Sequence, residues 1–262
     1  MHANDGKVAQ PVMIRVYNDG HKGATAFFRN RPFLDALFAV LRQRCHHRVR
    51  ILVHASSIGA EAYSLALWWF NRILPHWHGE IDLDIAATDI DAAFLAFAKE
   101  ARYPKALLRG MTDEERNWFE VDEDMIVVPE NVRRFVRFLQ PMSFLDGNPG
   151  ELFDAVLIMN ALTYMSVGEQ SRAIRNCAEY VQHALGVTAF HPDQIMDDLI
   201  KVGFSPCAQN HREIHQSWGD RLTNRPVPRD SPEYSWRLPP YDDTFDDWLY
   251  RFGALFVRNP LL

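Results

Sequence analysis

The stretch Val53-His-Ala-Ser-Ser-Ile-Gly-Ala-Glu-Ala-Tyr-Ser-Leu-Ala-Leu67 most restricts what this chain can become. An apolar run from Val49 to Val53, broken only by Arg50, leads into it and reads as a buried strand. Ala55, Ser56, Ser57 and Gly59 are small enough for a ligand to reach the backbone. Ala62, Leu65, Ala66, Trp69 and Ile73 then recur at helical spacing. Strand, small-residue turn and helix is the unit with which parallel sheets bind nucleotides at the carboxyl ends of their strands. Gly59 stands alone, without a G-x-G-x-x-G, so an ordinary strand-to-helix turn stays open as a reading. A Walker phosphate loop is excluded, because no G-x-x-x-x-G-K-[ST] occurs.

The rest of the chain repeats that alternation. Residues 1–24 carry little hydrophobic pattern and are expected to form an arm. Pro32 suits a first helical turn, and Phe33, Ala36, Leu37, Val40 and Leu41 form an apolar face behind it. Ile81–Asp91 alternates as a strand and ends in Asp89 and Asp91. An acid in that place accepts ribose hydroxyls or caps the next helix, and Asp91 fits the cap better. Residues 101–135 read as short helices and loops, with Thr112-Asp-Glu-Glu115 a capping box. Val136–Leu139 is a short strand and Phe153–Met159 the strongest strand, ending in Asn160-Ala-Leu-Thr-Tyr164. A helix is expected from about Gly168 to Ala184 and a strand over Gly186–Phe190. His191-Pro-Asp193 caps a further helix closed by Gly203, and Ala254–Val257 makes a final edge strand. Strands alternating with helices imply a mostly parallel sheet flanked by helices.

Composition removes several classes. A net charge of -6 argues against nonspecific nucleic-acid binding, so no nucleic-acid partner is expected. Cys45, Cys177 and Cys207 form neither a disulfide framework nor a C-x-x-C knuckle, which fits a cytoplasmic protein. No run of about 18 apolar residues occurs, so no membrane span is expected. His46 and His47 are adjacent and His211 and His215 are four apart, but no H-E-x-x-H accompanies them and no metal centre is expected. No G-x-S-x-G is present for a serine hydrolase.

Four pieces in order, Thr25-Ala-Phe-Phe-Arg29, Ser57-Ile-Gly-Ala-Glu-Ala-Tyr-Ser64, Ala87-Thr-Asp-Ile-Asp91 and Asn160-Ala-Leu-Thr-Tyr164, resemble the CheR-type methyltransferases. Those enzymes use S-adenosylmethionine to esterify glutamates on bacterial chemoreceptors. The resemblance covers residue 25 to about 190 and implies a Rossmann-like class I methyltransferase fold. Residues 25–262 would be the S-adenosylmethionine-dependent domain, with a divergent C-terminal segment from about 206. By that resemblance Thr25 and Phe27 line the cofactor pocket, and Glu61 and Asp89 hold the cofactor's amino-acid and ribose portions. Ser143 and Phe144 flank the adenine, Asn160, Ala161 and Leu162 continue that wall, and Ser57, Gly59 and Ile90 belong to the same set. Arg29 and Tyr164 face the reacting methyl.

The chemistry agrees with those roles. Methyl transfer to a carboxylate is an in-line displacement that needs alignment and no general base, because the acceptor is already ionised. An arginine fork suits such an acceptor. An alcohol or amine acceptor would need a base, for which His191 is the candidate. The sequence departs from the family at Met159, where an arginine is usual, at Ala60 and Ala62 in place of Glu and Pro, and at Ser143 in place of Asn. The family's helical receptor-binding domain has no counterpart before Thr25, and residues 206–262 have no clear family match. A small-molecule carboxylate or hydroxyl is therefore the expected acceptor. A protein carboxylate, or a non-catalytic cofactor-binding module, is the alternative.

Overall fold

A computed structural model describes residues 14–18, 21–159, 161–189, 192–210, 213–214 and 252–259. Within the segment expected as an arm, β1 (Ile14–Asn18) and β2 (His21–Thr25) pair as an antiparallel hairpin. The hairpin feeds the Ala26–Asn30 loop into α1 (Arg31–Arg44). Asn30 caps that helix by accepting from the Phe33 amide, and Pro32 occupies the first turn.

The expected strand-turn-helix unit is β3 (Arg48–His54) followed by α2 (Ala60–Trp68), which continues through a π-helical turn at Trp69–Ile73. Next come β4 (Asp82–Ala87) and α3 (Ala92–Glu100), capped by the Asp91 carboxylate on the Ala93 amide as its position suggests. Residues 101–135 depart from the expectation of helices and loops. They hold a small antiparallel sheet of β5 (Arg102–Pro104), β6 (Glu120–Asp122) and β7 (Met125–Val127), beside the short helices α4 (Asp113–Arg116) and α5 (Glu130–Arg133). Three-residue strands are too short to show a period, so only long-range pairing defines them.

The main sheet continues with β8 (Val136–Phe138) and β9 (Phe153–Ile158). Then α6 (Val167–Ala178) ends earlier than expected and β10 (Val181–Ala189) begins earlier. Residues 181–184, Val-Gln-His-Ala, carry no strong local preference for either state. They are claimed by parallel pairing with β9, through a bulge between Val181 and Ala184. Last come α7 (Pro192–Lys201), β11 (Phe204–Pro206) and β12 (Phe252–Arg258). The strand expected at the edge, β12, runs antiparallel between β10 and β11 and is interior.

Seven strands of the described residues thus form one sheet in the order β11-β12-β10-β9-β3-β4-β8, parallel from β10 to β8. Side chains alternate between two cores, as the pleat dictates. Val49, Ile51 and Val53 of β3 join Phe33 and Leu37 of α1 and Leu65 of α2 on one face. Leu52 joins Ile174 of α6 and Ile195 and Leu199 of α7 on the other. Gly186 lets α1 lie close on the sheet, since a Cβ there would meet the Phe33 ring at 2.4 Å. Among the described residues no helix is long and apolar enough to cross a membrane.

Candidate active site

The turn after β3 is bent by three residues with positive φ, Ala55 (49°), Ser57 (48°) and Gly59 (82°). Phe28, in the loop before α1, is a fourth at 48°. Non-glycine residues in that region carry strain of order 1–3 kcal/mol each, and such residues gather at ligand sites. Packing holds them in place. The Phe28 amide donates to Ser64 Oγ at 2.9 Å, and that hydroxyl donates to the Ala60 carbonyl at 2.6 Å. The last serine of the motif therefore fastens the Phe28 loop to α2. Tyr63 donates to the Ala98 carbonyl and Tyr103 to the Ile58 carbonyl, tying α2 and its turn to α3 and β5.

Gly59 has a different duty from the one its small size suggests. A Cβ at Gly59 would sit 2.9 Å from Ala98 Cβ and 3.2 Å from Phe138 Cζ, so the missing side chain makes room for α3 and β8. Any ligand contact there is left to the backbone.

Asp89 lies two residues past β4 and is buried. Its carboxylate accepts from the Ser57 amide at 2.8 Å and from the Asp91 amide at 3.0 Å. Burial pushes its pKa above the usual carboxylate range, opposed by those backbone hydrogen bonds. Beside it Ile90 is 55% exposed, an unusual place for a large apolar side chain.

Arg29 is only 7% exposed. It lines a small, half-open pocket with Phe28, Glu61, Ser64, Leu157 and Met159. The pocket thus brings together Arg29 and Glu61, from the first two motif pieces, and Met159 at the foot of the fourth. Phe27 is fully buried, with its ring edge-on to Tyr103 and Phe119 at 5.0 Å each. Thr25 is buried at the end of β2.

Ser143 and Phe144 follow β8. Ser143 Oγ accepts from the Leu145 amide, and Asn176 of α6 donates to the Phe144 carbonyl at 3.0 Å. The Phe144 ring packs on His54. Ala161 and Leu162 are buried past β9, while Tyr164 is 71% exposed. Asn160 and His191 lie outside the described residues. The turns after β3, β4, β8 and β9 all leave the same edge of a parallel sheet, its carboxyl edge, where such folds take their ligands.

Three buried hydroxyls, Thr25 Oγ1, Ser56 Oγ and Ser57 Oγ, have no hydrogen-bond partner. Native proteins satisfy nearly all such atoms, so orphans at the end of β2 and in the strained turn fit a polar ligand such as S-adenosylmethionine. Sequence named Ser56 only as one of the small residues of this turn and gave its hydroxyl no role, although its place beside Ser57 carried the signal.

The strand order and the reversed β12 define a Rossmann-like class I methyltransferase fold, with a polar site at its carboxyl edge. Residues 23–190 match the family described as CheR methyltransferase, SAM binding domain, and the chain belongs to that family of S-adenosylmethionine-dependent methyltransferases. Its relatives include the chemotaxis protein methyltransferase of Listeria monocytogenes, 28% identical over 59% of this chain and 59% of that protein. They also include chemotaxis protein methyltransferase 2 of Pseudomonas aeruginosa, 30% identical over 57% of this chain and 55% of that one. The chain thus spans less than two thirds of the length of these relatives. Among solved structures, the magnesium protoporphyrin IX methyltransferase of Synechocystis with bound SAM is 14% identical, with a TM-score of 0.44 over 87% of this chain and 78% of that one.

Proposed function

We propose that this chain transfers the methyl group of S-adenosylmethionine to a carboxylate of a protein. The observation that carries the reading is the pocket in which Arg29 and Glu61 stand together beside the turn after β3. When bound, the cofactor supplies an electrophilic methyl on a sulfonium and leaves as S-adenosylhomocysteine.

In this reading Glu61 receives the ammonium of the cofactor's amino-acid end, and the Asp89 carboxylate receives its ribose hydroxyls. Ile90 and Phe144 give the adenine apolar cover. The Thr25, Ser56 and Ser57 hydroxyls complete the polar contacts. Arg29 holds the acceptor carboxylate, a role that matches a guanidinium fork and needs no base. Exposed Tyr164 closes over the acceptor from the β9 side. Phe27 supports the loop from the core. Met159 carries no charge where the family usually has an arginine, and the reading assigns it only a wall.

The names of the relatives favour a protein acceptor over the small molecule expected from sequence. The test is transfer of labelled methyl to a lysate of the source cells, split into protein and low-mass fractions. Label in protein that alkali releases as methanol is the expected result. Label confined to the low-mass fraction would restore the small-molecule acceptor, and binding without transfer would leave a regulatory module.

A further inference from the structure

At the opposite edge of the sheet the fold gathers three residues that are far apart in sequence. Cys45 follows α1, Asp154 is the second residue of β9, and His183 is the third of β10. Their ligand atoms all lie within 4.8 Å of one another. We propose that Cys45, Asp154 and His183 form a binding site for a divalent cation of the zinc class. A strand rises about 3.3 Å per residue, so the length of β3 puts this site roughly 20 Å from the carboxyl edge.

One of the three spacings is that of shared ligation. His183 Nε2 and Asp154 Oδ1 are 3.6 Å apart. That is too long for a good hydrogen bond. It matches the edge of a tetrahedron about a zinc ion, roughly 3.3–3.8 Å for metal–ligand bonds of about 2.0–2.3 Å. The supporting contact also suits a metal. Asp154 Oδ2 accepts from the Arg50 amide at 2.7 Å, which fixes the carboxylate and leaves Oδ1 toward the cluster.

On binding, Cys45 releases its proton to solvent and its sulfur bonds the metal. Thiolate and carboxylate then cancel the two positive charges. Arg44 and Arg258 are close enough to oppose a cation. Arg44 Nη1 donates to the Arg258 carbonyl, and Arg258 Nη2 to the carbonyls of Ala178 and Val181. Three protein ligands leave one tetrahedral position for water, and the His183 side chain, 29% exposed, gives the ion a route in. The ion would clamp the end of α1 to the starts of β9 and β10.

The test uses the full chain without a polyhistidine tag, stripped with chelator and titrated with zinc by calorimetry and with cobalt by absorption. One equivalent of each should bind, cobalt should show a thiolate charge-transfer band, and zinc should raise the Tm. Cys45→Ser and His183→Gln should each abolish the band and weaken zinc at least ~10-fold. Neither should change affinity for S-adenosylhomocysteine. The His183 variant, at a partly exposed position, guards against a misfolded Cys45 variant. Absence of binding, or zinc affinity unchanged in both variants, would overturn the site.

Discussion

The Ser57 amide donates to the Asp89 carboxylate at 2.8 Å, and this one bond joins the turns after β3 and β4. The same carboxylate accepts from the Asp91 amide, so it holds its own loop closed as well. Asp89→Ala should lower affinity for S-adenosylhomocysteine by about 10- to 100-fold, since a hydrogen bond to a charged group contributes about 1.5–3 kcal/mol. Calorimetry would measure this, and an unchanged affinity would remove Asp89 from the ribose.

Arg29 sits at the acceptor side of the proposed site. Arg29→Ala should cut methyl transfer by about 10- to 100-fold, on the same scale for charge-assisted bonds, with little loss of cofactor affinity. Arg29→Lys should recover only part of the rate, because a point charge does not reproduce the fork. Equal losses in rate and in cofactor binding would make Arg29 a cofactor ligand instead.

His54, at the end of β3, is fully buried with Nε2 2.9 Å from the Tyr180 hydroxyl, which in turn meets Cys177 Sγ at 3.0 Å. Burial lowers its pKa to about 3. The unfolded chain takes up that proton near pH 6.5 and the folded chain does not, so unfolding binds a proton inside this window. The stabilisation is complete above about pH 6.5 and declines by up to about 1.4 kcal/mol per unit as the pH falls toward 3. Urea midpoints across that range should show the slope, and His54→Leu should flatten it.

Arg31 and Glu115 form a bidentate pair, with Nε to Oε1 at 2.5 Å and Nη2 to Oε2 at 2.6 Å. Glu115 is buried and also accepts from the Thr112 amide, while Arg31 is about a quarter exposed. Glu115→Ala should cost about 3 kcal/mol, the low end for breaking a buried pair, because the arginine it leaves behind keeps some water. Removing both charges together, as Arg31→Met with Glu115→Leu, should restore much of the loss in chemical denaturation.

Much of the fold was legible where one element supplies its own signal. The apolar face Phe33–Leu41, the runs that became β3 and β9, and the caps at Asp91 and Thr112 all rest on local periodicity or local hydrogen bonding. The same holds for the motif residues themselves, which could be named from four short pieces of chain. The misreadings share one cause. The three strands β5, β6 and β7 are too short to have a pattern, residues 181–184 were compatible with a helix, and β12 gave no sign that β11 would cover it. Pairing partners decide each of these, and partners are remote in sequence.

Sequence alone determined which chemistry-bearing residues exist and which elements precede them, because propensity and capping act over a few residues. Tertiary structure decided what those residues do. Gly59 is small because α3 and β8 press on it, and Ser64 is polar because a strained Phe28 needs an anchor. Cys45, Asp154 and His183 meet only because β9 and β10 align beside the end of α1. Each depends on contacts spanning dozens of residues, and no local pattern encodes such distances.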